Sequence, residues 1–290
     1  MTRIAYLGPA GTFTEEAARR FALPDAEYVP VESPAAALDQ VRRSRVDFAV
    51  VAIENSVDGA VTSTSDALVA PGARIVAETE LAIAFAIMTR KGASLADATV
   101  LATHPVAYQQ VKGRVSRLAP GAKFVPATSN AAAARMVADG EADVAAAPER
   151  AAELFGLEVH ERGVADLDSA RTRFVLVGAE PGGGGGLPAR TGDDRTSVVF
   201  QAPNEPGALV AILEEFASRG VNMTRIESRP TRKVPNTYNF FVELAGHAQD
   251  APVAEALRGV GERASWMRFV GSWPRAGAGA GAAAGVGAPA

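Results

Sequence analysis

The sequence predicts an α/β protein with two domains. From residue 3 to about residue 178, short apolar runs alternate with alanine-rich stretches, which is the pattern of strands joined by helices. After a glycine-rich segment the pattern changes to a βαββαβ order. The chain has 290 residues, of which 48% are hydrophobic and 21% are charged. This length and composition suit about two domains with sizeable cores.

Several apolar runs of the first region have the length and composition of β-strands. They lie at residues 3–8, 46–53, 98–103, 142–148 and 173–178. Because helix-forming stretches separate these runs, we expect a mainly parallel sheet whose strands are connected by helices. Ligands of such sheets bind beyond the carboxyl ends of the strands.

Polar residues follow these strands at positions where helices are predicted to begin. Thr12 precedes Glu15 at the spacing of a capping box, Thr103 and His104 precede Pro105, and Ser129 precedes an alanine-rich stretch. Each helix start would offer free N–H groups and a positive dipole end to a carboxylate. The same residues also serve as ordinary helix caps, so an anionic ligand is one of two interpretations.

The glycine-rich segment predicts a flexible linker, since residues 180–194 have no apolar period and contain five consecutive glycines. Beyond it, strand, helix, strand, strand, helix and strand are predicted at residues 196–203, 207–220, 221–230, 237–246, 251–262 and 266–273. This order predicts a four-stranded ferredoxin-like sheet with two helices on one face. The tail is almost all glycine and alanine, and we expect it to be disordered.

These patterns set the predicted domain boundaries. They are 1–179 for the first region, 180–194 for the linker, 195–273 for the second domain and 274–290 for the tail. Since the linker is predicted to be flexible, we expect the second domain to fold as its own unit.

The composition excludes several kinds of site and partner. The chain has no cysteine, which excludes disulfides, thiolate metal sites and cysteine nucleophiles, and it has only three histidines. We therefore expect neither a metal nor another cofactor. A net charge of −4 argues against nucleic acid, and no apolar run of about 18 residues predicts a membrane span. The N-terminus lacks the pattern of a signal peptide, so we expect a cytoplasmic protein with a small-molecule partner.

Six segments, taken together, carry a family resemblance. They are YLGPAGTFTEEAA (6–18), VAIENSVDGAVTSTSDAL (51–68), ATHPVAYQQ (102–110), TRF (172–174), GALV (207–210) and ESRP (227–230). In this order they resemble the prephenate dehydratases that carry a C-terminal ACT regulatory domain. The resemblance implies a catalytic region of two lobes, like a type II periplasmic binding protein, with the active site between the lobes. It also implies a homodimer or homotetramer.

The resemblance implies that the chain converts prephenate to phenylpyruvate, carbon dioxide and water in L-phenylalanine biosynthesis, and that phenylalanine is its allosteric effector. Two positions depart from the family pattern. Ala170 stands where the family often has asparagine, which removes a possible hydrogen bond in the site. Thr103 stands where serine is frequent, and it keeps the hydroxyl.

The reaction needs help for a poor leaving group, the ring hydroxyl, while two carboxylates are held in position. Thr172 is the expected central residue, with its hydroxyl bonded to the departing oxygen, although a threonine is also an ordinary strand residue. Asn55 can donate and accept hydrogen bonds, and Glu54 can orient neighbours or hold a proton. Gln110 lies seven residues after Thr103, two helical turns along one face, so both are expected at the same site.

Around these catalytic residues, the resemblance places four residues against the substrate. They are Ser56, Arg173, Phe174 and Thr12. Strand alternation, however, directs Arg173 away from the face of Thr172, which also fits a structural ion pair. In the second domain, the resemblance assigns phenylalanine binding to two stretches and one further residue, across an interface between two such domains. These residues are Gly207, Ala208, Leu209, Val210, Asn222, Glu227, Ser228, Arg229 and Pro230.

Three other functions remain open from the sequence. An arogenate dehydratase would act on a substrate with an amino group in place of the keto oxygen of prephenate. A two-lobed region can also belong to a solute-binding protein without catalysis, although the Thr-Arg-Phe motif argues against this. A purely regulatory amino-acid sensor would not need the long first region.

Overall fold

The first region folds into two α/β lobes, and the second domain packs against the first lobe. The computed structural model describes residues 1–165, 170–180 and 187–277. Over these residues, no helix combines the length and the apolar character that crossing a membrane requires.

The first lobe begins with five strands and three helices, after which the chain crosses to the second lobe. In chain order its elements are β1 (Thr2–Leu7), α1 (Phe13–Arg20), β2 (Ala26–Val31), α2 (Pro34–Arg42), β3 (Phe48–Asn55), β4 (Gly59–Ala60), α3 (Thr62–Leu68) and β5 (Ala73–Ala82). An unbroken apolar run makes β3 a central strand, and its residues 48–51 are all buried.

The second lobe follows, and the chain then returns to the first. The elements of the second lobe are β6 (Ala86–Thr89), β7 (Val100–Thr103), α4 (Pro105–Leu118), β8 (Lys123–Pro126), α5 (Asn130–Ala138), β9 (Val144–Ala147), α6 (Glu149–Phe155) and β10 (Glu158–Arg162). The returning strand is β11 (Arg171–Ala179), which lies between β3 and β5.

The second domain has the predicted βαββαβ order. Its elements are β12 (Asp194–Gln201), α7 (Ala208–Ala217), β13 (Met223–Pro230), β14 (Tyr238–Ala245), α8 (Ala251–Arg263) and β15 (Trp266–Pro274). The strands pair in the order β13, β14, β12, β15, and every pair is antiparallel. The ferredoxin-like arrangement is thereby confirmed.

The sheets of the two lobes are mixed, so the expectation of a mainly parallel sheet is only partly right. In the first lobe β2, β1 and β3 are parallel, while β11 is antiparallel to β3 and β5. In the second lobe β8, β7 and β9 are parallel, while β6 is antiparallel to β9 and β10. The reason is the crossing between lobes: β6 and β11 each arrive from the other lobe, and each starts where the parallel strands end.

The sheet of the second domain continues that of the first lobe through β15 and β5. Their contact is a parallel bridge between Gly271 and Ile75, and it creates a 10-stranded sheet within the described residues. A Cβ atom on Gly271 would lie 2.3 Å from the carbonyl oxygen of Ile75, so the junction requires glycine.

The two domains also share an apolar core, so the second domain is in direct contact with the catalytic region. Val199, Phe241 and Trp273 of the second domain belong to one buried cluster with Ile75 and Val175 of the first lobe. A glycine-rich segment between two domains therefore does not make them independent, because apolar faces left open on each are buried against one another.

The described ends of the predicted linker and tail make defined contacts. Glu180 accepts hydrogen bonds from Gly72 and Arg268, and Asp194 already belongs to β12. Beyond Pro274, the last residue of β15, the backbone N–H of Ala276 donates to Glu78. Residues 181–186 of the predicted linker and 278–290 of the predicted tail lie outside the described residues.

Candidate active site

The ends of several strands meet between the two lobes. Because β1 and β3 are parallel and β11 is antiparallel to β3, the end of β3 and the start of β11 lie at one edge of the first sheet. In the second lobe, β7 and β9 are parallel and end together at the edge where β6 starts. The chain crosses between these edges through residues 83–85, so the two edges face each other. This is the place where open α/β sheets bind ligands.

Thr172 and Asn55 form a pair at the edge of the first lobe. They are directly opposite in the β3 and β11 register, and the Asn55 Nδ2 atom lies 2.9 Å from the Thr172 Oγ1 atom. The Asn55 Oδ1 atom accepts backbone N–H groups from Val57 at 2.8 Å and Asp58 at 3.1 Å. These two donors need an oxygen, so the amide nitrogen must face Thr172.

The hydrogen of the Thr172 hydroxyl is therefore available for a hydrogen bond to a ligand. Its oxygen accepts from Asn55, and among the described residues it has no other hydrogen-bond partner. Thr172 is buried, with 6% of its surface exposed, which strengthens any hydrogen bond it makes. The pair can therefore stabilise or protonate an oxygen that departs beside it.

Ser56 holds the start of β11 in place. Its backbone N–H donates to the carbonyl of Arg171 at 2.8 Å, and its hydroxyl accepts the Arg171 N–H at 2.9 Å. Both contacts extend the strand pairing one residue past Asn55. Ser56 therefore contributes to the position of Thr172 whether or not it also contacts a substrate.

Arg173 is turned toward the second domain. Its guanidinium makes two parallel hydrogen bonds to Glu243, with Nη1 to Oε2 at 2.9 Å and Nη2 to Oε1 at 2.7 Å. Its Nε atom lies 3.6 Å from Glu54 and 3.9 Å from Glu78. Arg173 thus forms the ion pair that strand alternation suggested, and its charge is engaged by protein carboxylates.

Thr103 is buried beneath the edge of the second lobe. None of its surface is exposed, and its hydroxyl donates to the Ala146 carbonyl at 2.8 Å. Asn130, at the start of α5, lies next to it: the Asn130 Oδ1 atom is 3.4 Å from the Thr103 hydroxyl and accepts the His104 N–H at 3.3 Å. Since its oxygen is occupied in this way, the amide nitrogen of Asn130 is left to face outward.

Gln110 lies on α4 and is buried, with 5% of its surface exposed. Its Oε1 atom has no hydrogen-bond partner among the described residues, which is costly unless a donor reaches it. The expectation that Thr103 and Gln110 share a helical face is wrong. Thr103 ends β7, and the helix starts only after His104, whose ring accepts the Val106 N–H, so the two-turn spacing does not apply.

Thr12 caps α1, as its spacing to Glu15 predicts. Its hydroxyl accepts the Glu15 N–H at 3.3 Å and donates to the Leu7 carbonyl at 3.1 Å. Both functions of the hydroxyl are therefore used within the loop. Ser129 likewise caps α5 by accepting the Ala132 N–H at 3.0 Å.

The first turn of α1 is also where the lobes touch. Arg150 of α6 lies 3.6 Å from Glu15, and Phe13 packs edge-on against Phe85 of the crossover. Burial would raise the pKa of Glu15, but the Gly11 N–H, Arg19 and Arg150 together hold this pKa below its ordinary value. The carboxylate therefore stays ionised and joins the lobes electrostatically.

Phe174 and Ala170 are both buried in the apolar cluster that spans the lobes, with 2% and 4% of their surfaces exposed. Phe174, which was expected to contact the substrate, therefore belongs to the apolar core, because its ring is buried among other apolar side chains. Ala170 offers only its backbone, since its carbonyl accepts the Ile83 N–H of the crossover at 2.7 Å.

Some of the candidate effector residues are exposed to solvent, and others contact the first lobe. Gly207 is the N-cap of α7 with a left-handed backbone (φ 81°), and nothing lies within 4 Å of the place its Cβ atom would take. Around it and along β13, the positions with open surface are Val210, Asn222, Ser228 and Pro230, while Ala208 and Leu209 are half-buried.

Glu227 and Arg229 instead face the first lobe. Glu227 accepts the Ser65 hydroxyl at 3.1 Å, and Arg229 makes two hydrogen bonds to Asp66 at 2.7 and 2.9 Å. Both partners lie on α3 of the catalytic region. The charged residues of the ESRP stretch therefore contact the region that carries the candidate active site.

Among the partners in these contacts, Asn130, Glu243 and Asp66 were not found from the sequence. Asn130 follows a predicted helix cap, which was the available signal. The neighbouring sequence does not distinguish Glu243 and Asp66 from other acidic residues. Their partners are distant in the chain, so these ion pairs cannot be predicted before the tertiary structure is known.

Comparisons with known proteins agree with this architecture. The family model described as prephenate dehydratase matches residues 4–182, and the ACT domain model matches residues 196–262. A prephenate dehydratase of Corynebacterium glutamicum is 56% identical over 282 residues, which cover 94% of this chain and 88% of the relative.

Two solved structures superpose on nearly the whole chain. One is a prephenate dehydratase from Arthrobacter aurescens in complex with L-Phe, with a TM-score of 0.87, 42% identity and coverage of 96% of this chain and 92% of that one. The other is GqqA, described as a novel type of quorum quenching acylase, with a TM-score of 0.85, 33% identity and coverage of 95% and 98%. By its sequence matches and its fold, this chain belongs to the prephenate dehydratase family and carries an ACT domain after the catalytic region.

Proposed function

We propose that this chain converts prephenate to phenylpyruvate, carbon dioxide and water in L-phenylalanine biosynthesis, and that phenylalanine regulates it. The observation that carries the proposal is the Thr172 and Asn55 pair, placed where the two lobes face each other. The family relationship supports the same reaction.

The reaction breaks two bonds and takes up one proton. The electrons of the bond to the departing carboxylate form a ring double bond, and the ring hydroxyl leaves with an added proton as water. Asn55 donates to the Thr172 oxygen, so the Thr172 hydrogen can be donated to the departing oxygen. A hydrogen bond aimed at a developing charge in a buried site is a strong source of catalysis.

The second lobe would supply the other contacts to the substrate. The unpartnered Oε1 atom of Gln110 and the outward amide of Asn130 are the polar groups available there. The helix starts at His104 and Ser129 add positive dipole ends near the same edge. Thr103 in this lobe and Thr12 at the start of α1 in the first lobe, whose hydroxyls are engaged internally, would act by holding their own elements in place.

Glu54 is the residue next to Asn55 on β3. It is opposite Arg173 in the strand register and half-exposed, with 38% of its side chain accessible. It therefore lies on the Arg173 face of the strand pair, where Arg173 limits its repulsion of the substrate carboxylates and it can help to orient the strand end that carries Asn55.

Phenylalanine would bind at the start of α7. The backbone N–H groups of Leu209 and Val210 lie in its first turn, where a carboxylate is favoured. The open space beside Gly207 and the exposed edge strand β13 leave room for the ring and for a second copy of the domain. A homodimer or homotetramer would complete the site, and light scattering with and without phenylalanine tests this.

The deciding experiment mixes the purified chain with prephenate and follows phenylpyruvate. We expect turnover, with inhibition by phenylalanine. Arogenate at the same concentration is the comparison, and a higher rate with it would make the chain an arogenate dehydratase. Binding of prephenate without any product would favour a solute-binding protein. A cytoplasmic location stays a prediction, which cell fractionation can test.

A further inference from the structure

We propose that Glu243 of the second domain is a positioning residue of the dehydratase site, acting through Arg173 on the strand that carries Thr172. The proposal rests on the proposed function. It means that the second domain is part of what gives the active site its geometry, in addition to any role in regulation.

The pair between Glu243 and Arg173 is buried and bidentate. The two guanidinium nitrogens lie 2.9 and 2.7 Å from the two carboxylate oxygens, and 2% of the Glu243 side chain and 10% of the Arg173 side chain are exposed. Parallel hydrogen bonds of this kind fix the orientation of a guanidinium as well as its position. Arg173 is therefore held from the second domain in a single direction.

Other charged groups surround this pair on both sides of the domain boundary. Arg195 contacts Glu243 at 2.8 Å and Glu78 at 3.3 Å. Arg225 lies 3.4 Å from Glu243 and 2.8 Å from Glu227. Three arginines thus share Glu243, while the alternative carboxylates for Arg173 are Glu54 and Glu78.

Arg173 is adjacent to Thr172 on β11, so the position of its backbone affects the position of Thr172. Thr172 faces Asn55 and Arg173 faces Glu54, and the strand register then shifts between Arg173 and Phe174. An irregularity in a strand re-aims the side chains beside it and must be held by contacts. The Arg173 side chain, fixed by Glu243, supplies such a contact one residue from Thr172.

Without the Glu243 carboxylate, Arg173 would pair with the carboxylates of Glu54 or Glu78. Glu54 is 3.6 Å away and lies beside Asn55, so a closer pair with Glu54 would move both sides of the strand pair. Burial would raise the pKa of Glu243, but hydrogen bonds from Arg173 and the charges of Arg173, Arg195 and Arg225 hold this pKa below its ordinary value. The pair is therefore ionised at neutral pH.

The test compares turnover of full-length variants on prephenate. For Glu243→Gln we expect kcat to fall about tenfold or more with KM changed less than about threefold, because geometry rather than binding is lost. Glu215→Gln is the matched control: Glu215 is a buried glutamate of the same domain that pairs with Arg219 and Arg263, away from the first lobe. It should keep the kcat of the parent chain.

A double variant separates positioning from general stability. If Glu243 acts through Arg173, then Arg173→Gln with Glu243→Gln should turn over within about twofold of Arg173→Gln alone. Additive losses, or a parental kcat in Glu243→Gln, would overturn the proposal. Glu243→Asp, which keeps the charge and shortens the reach, replaces Glu243→Gln if that variant does not fold, with the same expected loss of kcat. A parent chain inactive on prephenate would instead reject the proposed function.

Discussion

Asn55 and Thr172 stand 117 residues apart in the chain and meet across neighbouring strands, with 2.9 Å between the amide nitrogen and the hydroxyl oxygen. The turn at residues 55–58 decides which end of the amide faces Thr172, since two backbone N–H groups occupy its oxygen. The orientation of the Asn55 amide thus determines that the Thr172 oxygen accepts a hydrogen bond from Asn55. The hydrogen of the Thr172 hydroxyl is then available to a ligand.

Thr172→Ala should lower turnover at least about 10²-fold, because it removes the hydroxyl that we propose donates to the departing oxygen. Thr172→Ser keeps that hydroxyl and should retain much more activity. Thr196→Ala is a control, since Thr196 is a fully buried threonine of the second domain bonded to Gly246 and Ser272. Single-turnover measurements with prephenate would show the difference. Parental turnover in folded Thr172→Ala would remove Thr172 from the mechanism.

Asn55→Asp should lower turnover about 10²-fold or more without unfolding the chain. A carboxylate still accepts the Val57 and Asp58 N–H groups, but it now presents an acceptor to Thr172. It would take up the hydrogen that we propose Thr172 donates to the substrate. Asn239→Asp is the matched control, because the Asn239 oxygen accepts from Gln201 and an aspartate can do the same. Steady-state assays of both variants at one pH decide the matter. Equal activities would contradict the assigned role of Asn55.

Val210→Glu should weaken inhibition by phenylalanine while catalysis persists. Val210 is 58% exposed in the first turn of α7, where an acidic side chain is compatible with the helix. Its charge would repel the carboxylate of the effector, and we expect a half-inhibitory concentration about tenfold higher or more. Val234→Glu adds the same charge at a position that is 59% exposed in the loop after β13, and it should respond like the parent. An unchanged response in Val210→Glu would place the effector elsewhere.

The stability of the chain should fall in acid in a way that depends on Glu243. Its pKa in the folded chain lies below the ordinary value of 4.5, because the bonds and charges of the arginines outweigh its burial. The group therefore stabilises the fold above about pH 4.5, and this stabilisation is lost as the pH falls through the folded pKa. Near neutral pH, Glu243→Gln should cost roughly 3–5 kcal/mol, the range for breaking a buried pair.

Denaturant unfolding of the parent and of Glu243→Gln over a series of pH values tests this expectation. The difference in free energy of unfolding between them should shrink as the pH drops below about 4.5. Glu141→Gln, at an exposed position after α5, should show the parental pH dependence. A difference that stays constant over the whole pH range would mean that the Glu243 charge does not stabilise the fold.

The elements of the candidate site were predictable to different degrees. The caps at Thr12 and Ser129 were predictable, because each depends on contacts within three residues. The burial of the TRF strand followed from its apolar run. The helical relation between Thr103 and Gln110 failed, because the spacing argument holds only inside one helix and the strand extends to Thr103.

By itself, the sequence determined five of the eleven strands that the structure describes before the linker, the ferredoxin-like pattern of the second domain and the family. These depend on periodicity, caps and motifs, which are short-range properties of the chain. Only the tertiary structure decided that β11 is antiparallel, that Arg173 pairs with Glu243 and that the domains share a core. With 29 basic and 33 acidic residues, many ion pairs are compatible with the sequence. Folding selects among them, because only a pair brought together out of water, with its hydrogen bonds satisfied, can stay buried.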